Sequence, residues 1–323
     1  MICVFCKHCV VSYSLFWGFG VKGPFLLFVI LCSSAVMADY DSGLAEFDRG
    51  NYASAVHEWR MSAEKGDPQS QFALGSVFEK GKGVSIDLEK AHKWYRLSAD
   101  NGLLEAQVRL GELYMANLLS GGPGEAVRWF EMAARRGHAS SQFMLGLLYL
   151  EGEAVKKNVR VAARWFEAAA EQGHAAAANN IGGLYEEGRG VDQSFERAFH
   201  YYETAARQGD PKSQNNLGAL YALGRGVEQN HAWAVFWFAM AEKNGDEVAK
   251  ENIKKSLSKL ESGEIAVSHA NVRAGIGTDH EVISVLEKGA RLWVLGGVDG
   301  WSQVYYEQSG AGYLGWISSS LID

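Results

Sequence analysis

Residues 173–209 read GHAAAANNIGGLYEEGRGVDQSFERAFHYYETAARQG, and versions of this stretch recur along the chain. Each of the first five versions opens with a glycine. Nine residues later comes a second glycine preceded by Leu or Ile, and three residues further comes an aromatic residue. Successive opening glycines are 36 residues apart, or 35 in one case: Gly66, Gly102, Gly137, Gly173, Gly209 and Gly245. Self-similarity at a fixed period of about 20–50 residues predicts a repeat protein whose units stack side by side.

The first half of each unit has the pattern of an amphipathic helix, here called helix A. A small residue, then Leu or Ile, then the aromatic residue follow at steps of four, as in Ala177, Ile181 and Tyr185. Such steps place side chains on one face of a helix. The second glycine, Gly182 in this unit, lies in the middle of that helix, where glycine costs about 1 kcal/mol relative to alanine. Its recurrence therefore predicts that a neighbouring helix comes close where no side chain fits.

The second half of each unit predicts another helix, helix B, which begins four residues before a recurrent alanine such as Ala198 and carries two aromatic residues. Residue types that are accepted as N-caps stand at that position: Asn51, Asp87, Gly122, Asn158, Ser194 and Asn230. The opening glycine of the next unit follows helix B and can adopt the left-handed conformation that ends helices. The start, the buried face and the end of helix B therefore agree in every unit.

The repeat resembles the Sel-1-like repeat, a relative of the tetratricopeptide repeat. The matching residues are Ala177 to Gly182, Tyr185, Gly188-Arg189-Gly190-Val191 and Ala198 to Gly209. The resemblance implies a mainly α fold, a right-handed α/α solenoid of helix pairs that binds a protein partner in its groove. We predict repeats over 66–101, 102–136, 137–172, 173–208 and 209–244, within a solenoid domain of residues 39–263. Degenerate units at both ends would be the caps that solenoids need.

After Ser262-Gly263 the helical pattern gives way to short β-rich runs that glycine turns separate. The runs predict five strands: 265–267, 282–286, 291–295, 302–306 and 315–317. Five short strands in about 60 residues favour a small all-β barrel.

This segment, 264–323, resembles a bacterial SH3-like domain. The matching residues include Asn271 to Thr278, Gly300-Trp301 and Gly315-Trp316-Ile317, and Ile276 stands where the family usually has proline. Such domains bind cell-wall peptides or glycans in some relatives, so the resemblance makes peptidoglycan a candidate partner.

Residues 1–38 predict a signal peptide, with the true start at Val21 as an alternative. Lys22 precedes the apolar stretch Phe25 to Leu31, and Val36-Met37-Ala38 places small residues where cleavage before Asp39 requires them. The apolar stretch is short for a transmembrane span. We therefore expect a periplasmic or secreted protein that meets the membrane only through its export signal.

Composition and cysteine usage narrow the function further. With 47% apolar and 21% charged residues, the chain is neither disordered nor a multi-span membrane protein. Its net charge of −7 argues against a nucleic-acid partner, because phosphate contacts need clustered Lys and Arg. The four cysteines lie at or before residue 32, and the Cys3-x-x-Cys6-x-x-Cys9 spacing lacks a fourth ligand. We expect no cofactor and no metal site.

Motifs with catalytic associations are weak. Ser-x-x-Lys occurs at Ser62 and at Ser256, but the other motifs of penicillin-reactive enzymes are absent, and small residues fill the position of Ser62 in other units. Gly310 to Gly315 spells Gly-x-Gly-x-x-Gly before a predicted strand, where a hairpin is expected rather than a dinucleotide site. The repeated histidines and tryptophans are expected in turns and in the core: His138, His174, Trp94, Trp129, Trp165 and Trp237. We expect no catalytic residues.

The variable positions of helix A indicate where a partner would bind. In related solenoids helix A lines the concave surface, and packing positions must repeat whereas recognition positions need not. The sixth and seventh residues after the opening glycine change from apolar to amide along the chain. We predict that the partner site includes Phe143, Asn179, Asn180, Asn215 and Asn216. The alternative is that some of these side chains complete interhelix packing.

Together these features predict an exported bacterial scaffold for protein–protein interaction in the cell envelope. Two alternatives stay open. One is an envelope enzyme acting on peptidoglycan or β-lactams, and the other is a secreted effector that engages host proteins.

Overall fold

The computed structural model describes the backbone of residues 34–323 and the side chains from Tyr40 onward. The predicted signal peptide therefore lies outside the described residues, apart from the last five, which open the first helix. The described chain contains thirteen α-helices, six strands and one 3-10 helix. Among these described elements, no helix has both the length and the apolar character that crossing a membrane would need.

Contacts divide the chain into two compact units, one ending at Gly122 and one running from Pro123 to Asp323. The helices of the first unit are α1 (Ser34–Asp48), α2 (Tyr52–Glu64), α3 (Pro68–Lys80), α4 (Leu88–Asp100) and α5 (Leu104–Met115). Those of the second are α6 (Gly122–Arg135), α7 (Ala139–Glu151), α8 (Val159–Ala170), α9 (Ala175–Glu187), α10 (Phe195–Ala206), α11 (Pro211–Leu223), α12 (His231–Lys243) and α13 (Ala249–Leu257). From α3 onward helices A and B alternate as the repeat predicts, and α13 is the half-unit that ends the series.

Most predicted helix caps are present. Asp87, Asn158, Ser194 and Asn230 each accept a hydrogen bond from the backbone N–H three residues on. Asn51 occupies the N-cap position of α2 as predicted, but its side chain makes no cap bond, and its Nδ2 donates to Glu46 at 2.8 Å. The prediction for Gly122 is wrong. Gly122 is the first residue of α6 rather than its cap, and its φ of +60° shows that it turns the chain into the helix.

The glycines act as predicted. All six opening glycines have φ between +86° and +99°, the left-handed conformation that ends helix B. The mid-helix glycines lie against an aromatic ring of helix B in the same unit. A Cβ on Gly75 would stand 2.5 Å from Tyr95 Cδ1, and one on Gly182 would stand 2.8 Å from Tyr202 Cδ1. The predicted close approach is therefore made through a ring.

The ring that covers the glycine is the second of the helix B pair at Gly75, Gly146, Gly182 and Gly218, and it is buried: Tyr95, Phe166, Tyr202 and Phe238. Of the tryptophans expected in the core, only Trp129 is buried, while Trp94, Trp165 and Trp237 are half-buried. The prediction was wrong in degree for those three: Trp94 and Trp237, for example, pack against buried clusters but keep part of their surface exposed.

The histidines expected in turns have a more specific part. The Nδ1 atoms of His138 and His174 accept hydrogen bonds from the third backbone N–H of helices α7 and α9, both at 3.2 Å. They take the place that Asp67 and Asp210 have before α3 and α11. These histidines are therefore N-cap residues.

The strands form one antiparallel sheet: β1 (Ser262–Glu264), β2 (His269–Arg273), β3 (Val282–Glu287), β4 (Arg291–Val298), β5 (Trp301–Gln308) and β6 (Ala311–Ser318), in the order β1-β4-β5-β6-β2-β3. The predicted strand 265–267 is wrong: Ile265 makes only an isolated bridge to Ile322, and strands form on either side of it. The glycine motif at 310–315 is, as expected, part of a hairpin, which turns at Ser309-Gly310 into β6. One core serves strands β2 to β6, so the sheet wraps around it.

The sheet packs on the last helices of the second unit. Tyr305 on β5 is buried in a cluster with Phe238 on α12 and Ile253 on α13. Trp293, Leu295 and Leu314 lie half-buried at the edge of the same cluster. The sheet thus covers the apolar surface that the last repeat would otherwise expose, as the end cap of a solenoid does.

Candidate functional site

The predicted site residues lie on A helices of the second compact unit, residues 123–323, and all of them are half-buried. Phe143 is on α7, Asn179 and Asn180 are on α9, and Asn215 and Asn216 are on α11. Because each helix A begins at the same point of its unit, equivalent residues on successive helices are neighbours. The structure therefore brings the four asparagines together.

The asparagines join successive helices by hydrogen bonds. Asn216 Nδ2 on α11 donates to Asn179 Oδ1 on α9 at 3.1 Å. Asn252 Nδ2 on α13 donates to Asn215 Oδ1 on α11 at 2.9 Å. We call these four residues the amide ladder. Ser213 Oγ adds a second bond to Asn179 Oδ1, also at 3.1 Å.

Asn252 is a member of this ladder that sequence reasoning missed. It stands seven residues after Gly245, the phase that Asn180 and Asn216 have in their own units. That phase was a usable signal, but the half-unit lacks the other repeat residues and was treated only as a cap.

Asn180 and Phe143 differ from the ladder. Asn180 Nδ2 donates to Ala176 O of its own helix at 2.8 Å, so this side chain makes no contact that holds two helices together. Phe143 stacks on the ring of His174 at 4.7 Å and packs on Phe166 at 5.9 Å. Phe143 therefore contributes to packing, as the alternative reading of these positions expected.

A buried glutamine in four units secures the junction between helix B and the next helix A. Each side chain donates to a carbonyl near the end of helix B, at 3.0–3.2 Å: Gln71 to Ala63, Gln107 to Ala99, Gln142 to Ala134 and Gln214 to Ala206. These amides have a structural role, so an asparagine or glutamine on helix A is not by itself evidence of a partner site.

Tyrosine and glutamate form ionic clusters at two places. In the first unit Glu79 accepts hydrogen bonds from Tyr95 Oη at 2.7 Å and from Arg109 Nε at 3.1 Å. Burial raises the pKa of Glu79, but the bonds from Arg109 and Tyr95 outweigh this and hold it below the usual value. Burial together with Glu79 raises the pKa of Tyr95.

The second cluster centres on Glu167 of α8. Its Oε1 accepts hydrogen bonds from Tyr185 and Tyr201, both at 3.0 Å, and from Arg197. Arg197 also lies over the ring of Tyr185, 4.2 Å from its centroid. Burial and the bond to Glu167 raise the pKa of Tyr185 to about 12. Because all its charges are paired, this cluster serves packing between helices.

The residues of the weak catalytic motifs are inaccessible. Ser62 has no exposed surface and its Oγ finds no hydrogen-bond partner among the described residues, while Ser256 is 3% exposed. Ser62 is thus a small interhelix residue, as its repeat position predicts. Within the described residues, no group of three or more His, Cys, Asp and Glu side chains could hold a metal ion.

The repeated helix pairs followed by an antiparallel sheet define a class: solenoid repeat proteins with a small β domain at the end. Residues 68–103, 104–138, 139–174, 175–210 and 211–246 each match the model of the Sel1 repeat. These matches cover more than half of the chain, which therefore belongs to the Sel1 repeat family. Residues 268–323 match the model of the bacterial SH3 domain.

Two solved structures share the solenoid. A protective antigen present in uropathogenic Escherichia coli strains, which displays an SLR fold, is 30% identical with a TM-score of 0.63 over 69% of this chain and 49% of that one. A Sel1 repeat protein from Oxalobacter formigenes is 31% identical with a TM-score of 0.60 over 66% of this chain and 88% of that one.

Two sequence relatives match over shorter stretches. A Sel1-like repeat-containing protein of Acanthamoeba polyphaga mimivirus is 34% identical over 96 residues, which are 29% of this chain and 18% of that one. The DAP3-binding cell death enhancer 1 of Rattus norvegicus is 44% identical over 69 residues, 21% of this chain and 13% of that one. This chain spans less than a fifth of either relative and about half of the antigen, so these matches describe the repeats.

Proposed function

We propose that this protein is an exported bacterial scaffold that binds a protein partner on the A helices α9, α11 and α13. The amide ladder is the observation that supports the proposal most. Its four asparagines are half-buried, and in the bonds that join the described residues each uses only one of its two amide atoms. Asn180 uses only its Nδ2. A surface with such unused donors and acceptors gains by meeting a partner that supplies the missing bonds.

A binding role is preferred to an enzymatic one because of accessibility. The hydroxyl of Ser62 lies inside the first unit, where a β-lactam or a peptidoglycan stem could not reach it without unfolding α2. Nitrocefin turnover by the purified chain, lost in Ser62→Ala, would favour the enzyme instead.

The predicted cleavage site is compatible with the fold that follows it. Trp59 Nε1 donates to the carbonyl of Tyr40 at 3.1 Å, and the ring of Trp59 packs on those of Tyr40 and Phe47. Cleavage after Ala38 would leave these contacts intact, whereas cleavage a turn later would remove Tyr40. The intact mass of the protein from a periplasmic or extracellular fraction should therefore correspond to a chain that begins at Asp39.

The SH3 domain provides a second surface for the envelope. Its strand β3 is paired on one side only and exposes Ile283 and Val285, while Tyr313 on β6 is 44% exposed. These residues lie away from the face that packs on α12 and α13, so they are accessible when the sheet is docked. Co-sedimentation of the chain with purified peptidoglycan sacculi tests wall binding. If the chain stays in the supernatant, the domain does not bind the wall, and contact with a protein is its proposed role.

The main test of the proposal compares partner capture by substituted chains. The double variant Asn180→Ala with Asn216→Ala should lose partners that the wild-type chain captures from an envelope extract by crosslinking. Asn216→Ala also removes the bond to Asn179, so a stability loss of about 1 kcal/mol is expected.

Asn244→Ala is the matched control, because it also removes one amide–amide bond, from Asn244 Nδ2 to Gln214 Oε1 at 3.0 Å, but leaves both bonds of the ladder in place. Equal capture by the wild type and the double variant would remove the ladder from consideration. Equal loss in the double variant and in the control would assign the effect to stability.

A further inference from the structure

A second glycine follows the mid-helix glycine in one unit only. Gly183 stands ten residues after its opening glycine, where the other units have Ser76, Glu112, Leu147 and Ala219. The repeat therefore accepts a side chain at this position. Gly183 is in the interior of α9, where glycine lowers helix stability relative to alanine.

Nothing inside the chain requires this glycine. A Cβ on Gly183 would meet only Tyr202 Oη, at 3.5 Å, which is an ordinary van der Waals contact, and its φ is not in the left-handed range. The adjacent Gly182 is the opposite case, since its Cβ would stand 2.8 Å from the ring of Tyr202. The packing of α9 therefore gives no reason for glycine at position 183. Glycine is, however, the residue that allows another backbone to come close.

Gly183 shares a helix face with the site residues. It lies four residues after Asn179 and three after Asn180, and residues at these spacings are neighbours on a helix surface. Ala176 precedes Asn180 by four on the same face, and Ala219 takes the position of Gly183 on α11. The amides of this face are therefore flanked by residues with little or no side chain.

The amide ladder keeps groups of both types unused. In the bonds among the described residues, Asn179 and Asn215 use Oδ1 and keep Nδ2 as a donor, whereas Asn216 and Asn252 use Nδ2 and keep Oδ1 as an acceptor. A peptide main chain offers one N–H and one C=O per residue. A face with both neutral amide donors and neutral amide acceptors complements such a chain and gives no preference for a charged ligand.

We infer that this face binds the main chain of an extended peptide segment, which passes directly over Gly183 and bonds to the amide ladder. The inference deepens the proposed function and rests on it. The partner would be a flexible strand or tail recognised largely through its backbone, and not the side-chain surface of a folded domain. Main-chain bonding of this kind supplies affinity with limited dependence on sequence.

The test uses a synthetic peptide selected on the wild-type full chain from a displayed library of random twelve-residue peptides. Gly183→Ala should raise the melting temperature by about 2–4 °C, because alanine favours the helix, and should weaken binding of the peptide at least tenfold. Replacing single peptide N–H groups by N-methyl at two or more positions should weaken binding similarly.

Gly124→Ala is the matched control, because Gly124 is a glycine inside helix α6, which carries no ladder residue, and a Cβ added there would meet nothing within 4 Å. It should raise the melting temperature and leave peptide binding unchanged. A Gly183→Ala chain that is more stable and binds the peptide as the wild type does would overturn the inference, and so would a variant that is less stable. Capture of a folded envelope protein by the wild-type chain, with no peptide recovered from the library, would overturn this inference while leaving the proposed function standing.

Discussion

Gly146→Ala tests the packing rule on which the repeat depends. A Cβ added to Gly146 would stand 2.5 Å from Phe166 Cδ1, about 1 Å closer than an ordinary contact. Phe166 has no exposed surface, and Phe143 packs against it from the side, so the ring cannot turn away. Helices α7 and α8 must therefore separate.

The magnitude follows from two opposing effects. Overpacking of this kind costs about 1–3 kcal/mol, and alanine returns about 1 kcal/mol of helix propensity. Because the ring of Phe166 is fully buried and cannot yield, the upper half of the overpacking range applies, about 2–3 kcal/mol. The expected net loss in the free energy of unfolding of the second compact unit is then about 1–2 kcal/mol, measured by circular dichroism in urea. The double variant Gly146→Ala with Phe166→Leu should recover part of this loss, because the smaller side chain leaves room for the methyl group and the two changes are then not additive. A Gly146→Ala chain as stable as the wild type would refute the packing rule.

Three further results are expected. The pKa of Glu79 is lower in the folded than in the unfolded chain, so its ionised form stabilises the fold above the unfolded pKa, and this stabilisation is lost as pH falls through the folded pKa. Glu79→Gln should therefore make the free energy of unfolding less dependent on pH in the acid range. Because the pKa of Tyr185 is raised to about 12, its neutral form stabilises the fold below the unfolded pKa near 10, and this stabilisation is lost as pH rises through about 12. Tyr185→Phe should therefore reduce the loss of stability at alkaline pH. An unchanged stability–pH profile would contradict the contact with Glu167. The fragment 264–323 should give a cooperative melt and dispersed amide signals, but bind more hydrophobic dye than the full chain, because Tyr305 loses its cover of α12 and α13.

The features that sequence reasoning predicted well are those that packing repeats. The opening and mid-helix glycines recur because every unit must end helix B in the left-handed conformation and must admit a ring against helix A. The buried Gln71 and its equivalents were not predicted, since their partners are carbonyls that only the stacking of units brings near. The missed β1 and β2 flank Ile265, whose inward side chain looks like that of a strand residue although the backbone forms only one bridge.

The sequence pattern predicted which asparagines lie near one another and not how they bond. Asn179 and Asn216 were singled out because their positions vary between repeats. The bond between them depends on how far α11 is displaced along α9, and the sequence does not indicate this displacement. Gly183 was overlooked because it adjoins Gly182, whose packing role seemed to account for both. Only the space around each glycine distinguishes them.

The central claim is that a partner lies on the amide ladder, and site-specific photocrosslinking tests it most directly. A photoreactive amino acid is introduced in place of Asn216 in one chain and in place of Asn244 in another, and both chains are irradiated in the cells that produce them. Asn244 is exposed, follows the helix B α12 as its C-cap and takes no part in the bonds of the ladder. The account predicts a discrete protein adduct from position 216 and none from position 244. Adducts of equal yield from both positions, or an adduct from 244 alone, would contradict it.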